Sequence, residues 1–326
     1  MALHKKLKNI ADSTANTGFG TNASSYGGRL LNIDGTPNIE KRGIGFFQRF
    51  SWFHSMLSIT GWRFFLIILF FYVGVNLLFT LIYYLIGVQH LSGLNTTTEA
   101  HKFMEAFFFS TQTFTTVGYG RVSPTGFAAN AVSSFQALIG LLSFAVATGL
   151  MYGRFSRPKA FIKFAEVALI APFKDTTALM IRLAPYKNTT LTDAEAKVTL
   201  ALITEEDGQI TNRFFNLNLE LKSINALTLS WTIVHPLNEE SPLYAFNEHD
   251  FKNSKAELIV YIKAFDDMFS NTVIARTSYT FDEIKYGAKF IPMFHRDNEK
   301  NTTILDLDKL NLFEEVKLQE NNLPNI

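Results

Sequence analysis

The chain has 326 residues, a formal net charge of +1 and a mean hydropathy of +0.09. The balanced charge gives no global attraction to nucleic acid, and the hydropathy indicates a hybrid of membrane and soluble parts. Because the chain contains no cysteine, disulfide bonds and thiolate chemistry are excluded.

Residues 1–40 are polar and rich in Gly, Ser, Thr and Asn, so we expect a mostly disordered N-terminal segment. Within it, Gly18-Phe19-Gly20-Thr21-Asn22-Ala23 formally matches the dinucleotide-binding fingerprint. That fingerprint needs a preceding strand, and the polar residues before Gly18 do not predict one. We therefore interpret this match as a coincidence.

Residues 41–62 mix aromatic and basic residues and predict a helix. Its apolar side chains recur every three to four residues, which places them on one face: Phe46, Phe47, Phe50, Trp52, Phe53, Met56 and Leu57. Such a helix is typical of the membrane interface, where we place it as an interfacial slide helix. A buried helix of a soluble domain is the alternative, and the apolar segment that follows favours the interface.

Two long apolar segments predict membrane spans at residues 64–86 and 127–152. At about 1.5 Å per residue, each is long enough to cross the roughly 30 Å hydrocarbon core. The second span carries several polar side chains, namely Ser133, Ser134, Gln136, Ser143 and Thr148. Polar groups inside a span usually face other helices or water, so we expect the second span to line a pore.

Basic residues lie outside the pair of spans rather than between them. Those before the first span are Lys41, Arg42, Arg49 and Arg63, and those after the second are Arg154, Arg157, Lys159 and Lys163. The segment between the spans has only Lys102 and Arg121. Because Lys and Arg remain on the cytoplasmic side, we predict cytoplasmic termini in a plasma membrane, or in the inner membrane of a bacterium.

Between the spans, residues 101–113 predict a re-entrant helix that is too short to cross the bilayer. The motif that follows is Thr116-Val117-Gly118-Tyr119-Gly120. Its two glycines permit the backbone angles that align successive carbonyls, and rings of such carbonyls replace the water of a K⁺ ion. We predict that K⁺ binds at Thr116, Val117, Gly118 and Tyr119, with no other cofactor. A tight glycine turn in an extracellular loop is the alternative.

Residues 159–298 change character, with short runs of β-branched and aromatic residues separated by turn signals such as Asp207-Gly208. This spacing predicts an all-β sandwich. The tail at residues 299–326 is charged and polar, and its fold stays open. The seven histidines show no metal-ligand spacing, so we expect them at the surface.

With these motifs, residues 40–295 or so resemble the inward-rectifier potassium channel family, especially its bacterial Kir-like branch. Besides the filter, the resemblance rests on these runs: Phe-Phe-Phe-Ser at 107–110, Gly-Arg-Phe-Ser-Arg-Pro-Lys-Ala at 153–160, Ser-Trp-Thr-Ile-Val-His-Pro at 230–236, Ser-Pro-Leu at 241–243, Glu-Leu-Ile-Val at 257–260 and Arg-Thr-Ser-Tyr-Thr at 276–280. The resemblance implies a homotetramer whose immunoglobulin-like cytoplasmic domain extends the pore inward.

The resemblance also implies roles for single residues. Gln112 stands where the family has a pore-helix glutamate, and Phe144 where it has the acid that controls rectification. Further implied roles are pore lining for Gln136, Phe144 and Thr148, bending for Gly140 and Gly149, the gate for Tyr152, and anionic lipid binding for Arg154, Arg157 and Lys159. The alternatives are helix packing for the glycines, an interfacial aromatic for Tyr152 and simple cytoplasmic retention for the basic residues.

Three other functions compete with a potassium channel. An enzyme is disfavoured because no nucleophile elbow, phosphate-binding loop or zinc-protease motif occurs. A membrane-anchored scaffold explains the spans but not the filter, and a nonselective cation channel usually changes the Gly-Tyr-Gly run. We expect gating through the cytoplasmic domain and anionic lipids, weak rectification, and intracellular cationic blockers as ligands.

Overall fold

The computed structural model describes residues 29–43, 45, 51–95, 98–206, 209–244 and 246–318. The chain divides into two units. The membrane unit runs from Arg42 to Arg157, and the sandwich unit combines the N-terminal segment up to Lys41 with the chain from Pro158 onward. The dinucleotide-like match at residues 18–23 lies outside the described residues.

The membrane unit is helical. Its helices are α1 (Trp52–Ser58), α2 (Gly61–Ile86), α3 (Glu99–Phe114) and α4 (Gly126–Phe155). Helices α2 and α4 are each long and apolar enough to cross a membrane, which agrees with the two predicted spans. Each span begins slightly earlier than predicted, and α4 ends later. Of the predicted interfacial helix at 41–62, the structure describes residues 41–43, 45 and 51–62, and within them α1 covers Trp52–Ser58.

A glycine and a short pair of strands lie in the segments between these helices. Helix α2 ends at Gly87, whose φ of 110° strongly favours glycine. Strand β1 (Leu91–Ser92) then pairs antiparallel with β2 (Ser123–Pro124), which joins the chain before α3 to the chain before α4.

The sandwich unit contains two five-stranded sheets. The strands of the first sheet are β6 (Leu191–Glu206), β7 (Gln209–Asn216), β8 (Ser223–Leu227), β10 (Glu257–Asp266) and β11 (Asn271–Thr280). They lie in the order β11-β10-β6-β7, and β8 also pairs with β6. The strands of the second sheet are β3 (Ile162–Phe164), β4 (Ala168–Phe173), β5 (Thr176–Pro185), β9 (Trp231–Pro236) and β12 (Ile284–Tyr286). They lie in the order β12-β4-β5-β3, and β9 also pairs with β5. A short helix, α5 (Glu248–Asn253), precedes β10.

The core lies between these sheets. Leu200 and Val260 from the first sheet and Leu179 and Ile181 from the second belong to one cluster of buried side chains. Along β9, buried residues alternate with partly exposed ones, as expected where one face of a strand covers a core. The predicted two-span membrane domain followed by an all-β sandwich is therefore confirmed.

Within residues 1–40, predicted to be mostly disordered, the structure describes residues 29–40, and the start of that stretch is docked on the sandwich. Leu30 and Leu31 are buried, and their backbone N–H groups donate to the two carboxylate oxygens of Glu257 at 2.7 and 3.1 Å. Arg29 donates to Ser278 Oγ at 2.7 Å and pairs with Glu283 at 2.9 Å. The polar composition suggested disorder, but a few long-range contacts hold this stretch on the sandwich.

The chain continues as a folded part of the sandwich unit beyond the predicted boundary at residue 298. Strands β14 (Phe294–Asp297) and β15 (Thr302–Leu305) form a hairpin across that boundary. Strand β13 (Ala288–Phe290) pairs with β16 (Phe313–Glu315). The hairpin was missed because it has little apolar alternation.

His235 contradicts the expectation of surface histidines. Its ring is buried, with Nδ1 at 2.6 Å from Asn218 O and Nε2 at 2.8 Å from Ser241 Oγ. A carbonyl oxygen only accepts, so Nδ1 carries the proton and Nε2 accepts from the Ser241 hydroxyl.

Candidate functional site

Helix α3 delivers its C-terminal end directly to the glycine-rich motif. Val117 N–H donates to Gln112 O at 3.0 Å, and Thr116 N–H donates to Thr113 O at 3.1 Å. These bonds continue the helix end into the motif without a flexible connector. The carbonyl end of a helix carries partial negative charge, so this arrangement favours a cation beyond the end of α3.

The backbone φ angles of residues 116–120 alternate in sign. Thr116, Gly118 and Gly120 have φ values of 59°, 56° and 80°, whereas Val117 and Tyr119 have negative φ. Alternating angles of this kind turn successive peptide planes so that their carbonyls face one side. The two glycines were predicted to supply these angles, but Thr116 was not, because a positive φ is uncommon for a residue with a branched Cβ.

The side chains of the motif are open in the single chain. Val117 is 52% exposed and Tyr119 is 78% exposed. Most of the surface of these two side chains is therefore uncovered within the single chain.

A buried polar network lies beside α3 and joins three helices. Gln136 of α4 accepts from Tyr83 Oη at 2.7 Å and donates from Nε2 to Ser110 Oγ at 2.7 Å. Ser110 Oγ in turn lies 2.9 Å from Asn76 Oδ1 on α2, and Asn76 Nδ2 donates to Tyr72 O at 2.8 Å. Asn76, Ser110 and Gln136 are fully buried, and each has its polar atoms paired. A satisfied network of this kind fixes the position of α3 between α2 and α4.

The prediction that Gln136 lines the pore is wrong. Its amide is enclosed within the single chain and directed at Ser110 and Tyr83, so it does not face a shared axis. The polar side chain in the second span was correctly expected to avoid lipid, but it faces a neighbouring helix instead of water. The sequence did not suggest Asn76 or Ser110 as partners, since nothing local marks contacts between separate helices.

Gly140 lies one turn beyond Gln136 and meets the end of α3. A Cβ on this residue would overlap the carbonyl oxygen of Phe114. The ring of Phe114 also meets Tyr72 of α2 edge to face, with centroids 5.7 Å apart. Gly149, the other predicted hinge glycine, has open space around its Cα, so only Gly140 is required for close helix packing here.

An ion pair stands near the outer end of the motif. Arg121, the residue after Gly120, pairs with Glu105 of α3 through its guanidinium and also donates to Gly93 O at 3.4 Å. The side chain of Glu105 is 25% exposed and that of Arg121 is 51% exposed. Gln112 stands where the resemblance implies a glutamate, and it carries no charge. The ion pair of α3 with the chain after the motif is instead formed by Glu105 and Arg121.

The remaining predicted pore residues lie on the open surface of α4. Phe144 is 73% exposed and Tyr152 is 74% exposed, and Thr148 is exposed as well. They lie four residues apart, which places them along one stripe of the helix. Their assignment to the pore and gate stays a prediction.

The three basic residues predicted to bind lipid lie in different surroundings. Arg157 and Lys159 are exposed. Arg154 is half-buried, and its guanidinium donates to the backbone carbonyls of Met56, at 3.2 Å, and Ile59. Two of the three side chains are therefore free to meet headgroups as the structure stands, and Arg154 is engaged within the membrane unit.

Two family models match the chain. Residues 162–324 match the model described as the inward rectifier potassium channel C-terminal domain, and residues 70–157 match the model described as ion channel. The first match covers the two sheets of the sandwich, and the second covers most of α2, the filter motif and all of α4.

Curated relatives match across both units. The chain is 34% identical over 273 residues to "Inward rectifier potassium channel Kirbac3.1" of Paramagnetospirillum magnetotacticum, covering 82% of this chain and 89% of that protein. It is 28% identical over 264 residues to "ATP-sensitive inward rectifier potassium channel 12" of Mus musculus and of Homo sapiens. The match covers 75% of this chain, 61% of the mouse protein and 60% of the human one.

Proposed function

The chain belongs to the inward rectifier potassium channel family, and we propose that four copies of it form a potassium-selective pore with residues 116–120 as the filter. A ring of carbonyls around a K⁺ ion needs several copies of the motif, because one chain supplies only one side. The exposed side chains of Val117 and Tyr119 support this assembly, since a neighbouring copy would cover them.

The alternating backbone at the end of α3 is the observation that carries this proposal. Carbonyls that face one side, at the negative end of a helix and between two membrane spans, suit a partly dehydrated cation. A tight turn in an ordinary loop would not need a left-handed threonine, which costs about 1–2 kcal/mol.

We place both termini in the cytoplasm, with the filter toward the outside of a plasma membrane or a bacterial inner membrane. The basic residues flanking the two spans support this orientation. The gate is Tyr152, near the cytoplasmic end of α4, where its exposed ring would meet its symmetry mates.

Gating is governed by the sandwich unit and by anionic lipid. Exposed Arg157 and Lys159 are the residues that meet the headgroups, at about 1 kcal/mol per basic group near an anionic surface. No cofactor beyond the permeant K⁺ takes part.

Flux through the purified tetramer in vesicles tests the filter. We expect K⁺ uptake that Na⁺ does not match, and loss of selective flux in Gly118→Ala, because a Cβ disfavours the φ of 56°. Gly74→Ala is the control, since Gly74 lies on α2 with open space around it. It should leave the flux unchanged.

Two results would contradict the proposal. Equal passage of Na⁺ and K⁺ by the unmodified tetramer would indicate a nonselective cation channel. No flux of either ion under any lipid condition, from a correctly assembled oligomer, would favour a membrane-anchored scaffold.

A further inference from the structure

The corner between α1 and α2 exposes the carbonyl end of a helix. Helix α1 ends at Ser58, and Ile59 is extended, with φ of −64° and ψ of 160°. The last carbonyls of any α-helix lack partners within that helix and carry partial negative charge. In α1, Ile59 N–H returns to Ser55 O at 3.1 Å, which leaves Met56 O to find a donor elsewhere.

Arg154, in the last turn of α4, supplies that donor. One guanidinium nitrogen lies 3.2 Å from Met56 O, and the other donates to Ile59 O. The guanidinium carbon lies 5.2 Å from the centre of the Phe64 ring, and that ring is buried. The group therefore spans two backbone carbonyls on one side and is covered by an aromatic face on the other.

The surrounding residues are close to this contact. A Cβ added at Gly61, the first residue of α2, would lie 4.0 Å from a guanidinium nitrogen of Arg154, which is ordinary van der Waals distance. Leu57 is buried, and a Cβ added to Gly153 would lie 3.4 Å from the Leu57 side chain, so these two residues are close neighbours. The end of α4 thus meets the α1–α2 corner through one charged side chain and a small packed contact.

We propose that Arg154 is a positioning residue, an internal tie that holds the cytoplasmic end of α4 against the C-terminal end of α1 and so sets how readily the gate opens. It acts through the helix that carries Tyr152, two residues earlier, and does not act as a headgroup ligand. A lysine would replace the tie only in part, because its single ammonium cannot bridge two carbonyls as a planar guanidinium does. The proposal rests on the proposed function, since it concerns the gate of that channel.

Flux in vesicles of phosphatidylcholine alone separates the tie from lipid binding. We expect Arg154→Gln to change K⁺ flux at least fivefold in these neutral vesicles, and Arg154→Lys to give an intermediate value. Arg63→Gln is the matched control. Arg63 is an exposed arginine at the same corner, stacked on Trp62 at 5.8 Å, and its loss should change the flux less than twofold. Wild-type flux from Arg154→Gln in neutral vesicles, with a difference only after phosphatidylglycerol is added, would overturn the proposal in favour of a lipid ligand.

The distance between α1 and the end of α4 tests the Arg154 contact without relying on K⁺ flux. Because the chain has no cysteine, spin labels can be placed at Phe53→Cys and Phe155→Cys, both exposed, in full-length tetramers diluted with unlabelled subunits. We expect one narrow distance distribution with Arg154 and a broader one with Arg154→Gln. An unchanged distribution would refute the tie. Broadening in Arg154→Gln together with no K⁺ flux through the unmodified tetramer would refute the proposed function alone.

Discussion

Gly140 and Gly149 are both glycines on α4, but they lie in different surroundings. For both glycines we predicted either helix bending or close helix packing, because a glycine within a span does not indicate which residues surround it. Only Gly140 meets another element, at the carbonyl oxygen of Phe114, where α3 turns into the filter.

We predict that Gly140→Ala lowers K⁺ flux at least tenfold and reduces the thermal stability of the tetramer. Overpacking typically costs about 1–3 kcal/mol, and here the group that must move is the backbone beside the filter. Gly149→Ala is the comparison. In the single chain a Cβ there would meet no atom within 4 Å, and alanine favours the helix by about 1 kcal/mol, so we expect this variant to lose less stability than Gly140→Ala. Equal stability of the two variants would contradict this prediction.

His235 gives the sandwich unit a dependence on pH. Burial lowers the pKa of its imidazole, so the folded state keeps the ring neutral. The unfolded chain binds a proton below about pH 6.5 and the folded chain resists it, so this residue destabilises the fold as the pH falls below that value.

We predict that the free energy of unfolding falls between pH 7 and pH 5, with a slope from His235 of at most about 1.4 kcal/mol per pH unit. Thermal unfolding of the full chain, followed by near-ultraviolet circular dichroism, measures it. His235→Gln should be less stable at pH 7 but should have a flatter pH dependence. A variant with the wild-type slope would assign the effect to other groups.

At the scale of elements, the assignment of residues 116–120 as the filter stays a prediction, and it depends on local signals. These are five consecutive residues, a short apolar helix before them and a span on either side. The network of Asn76, Ser110 and Gln136 could not be predicted, because its members lie on three helices and a single sequence does not show which faces meet. The docked N-terminal segment was missed for the same reason: Leu31 and its partner Glu257 are 226 residues apart.

We predict that Ser110→Ala lowers both the thermal stability of the tetramer and its preference for K⁺ over Na⁺. Removing the hydroxyl takes the closest hydrogen bond from Asn76 Oδ1 and from Gln136 Nε2, which are left with each other at 3.4 Å and, for Gln136 Nε2, with the Ser110 carbonyl at 3.0 Å. We expect the lost bonds to cost about 0.5–1.5 kcal/mol. Ser133→Ala is the control, since the Ser133 hydroxyl bonds only within its own helix, to Asn130 O at 3.0 Å. Unchanged selectivity in Ser110→Ala would mean that the network stabilises the membrane unit without positioning the filter.

In the proposed tetramer, each residue of α4 occurs four times around the axis. A blocker with several positive charges is driven into the pore by about 2.3 kcal/mol per charge per 100 mV, but it also needs negative groups to hold it. The span from 127 to 152 contains no acid, and the position of the family's controlling acid is Phe144. We therefore expect weak rectification.

We predict that internal spermine blocks poorly and that Phe144→Asp, which adds four carboxylates at one level, strengthens the block at least tenfold. Patch recordings in symmetric K⁺ measure it, and Phe144→Asn is the uncharged control. Gln136→Glu would also add an acid to the second span, but the buried position of Gln136 makes that charge unavailable to the pore. Steep, high-affinity block of the unmodified channel would show that acids elsewhere hold the blocker.

The bond between Leu31 and Glu257 also has a consequence for the order in which the protein is made. The N-terminal segment leaves the ribosome first, but the strand that holds it is synthesised 226 residues later. At about 5–20 residues per second, the segment waits for roughly 10–50 s, during which both membrane spans are already complete. A nascent or truncated chain without β10 therefore has an undocked N terminus, and docking of that segment marks a finished subunit.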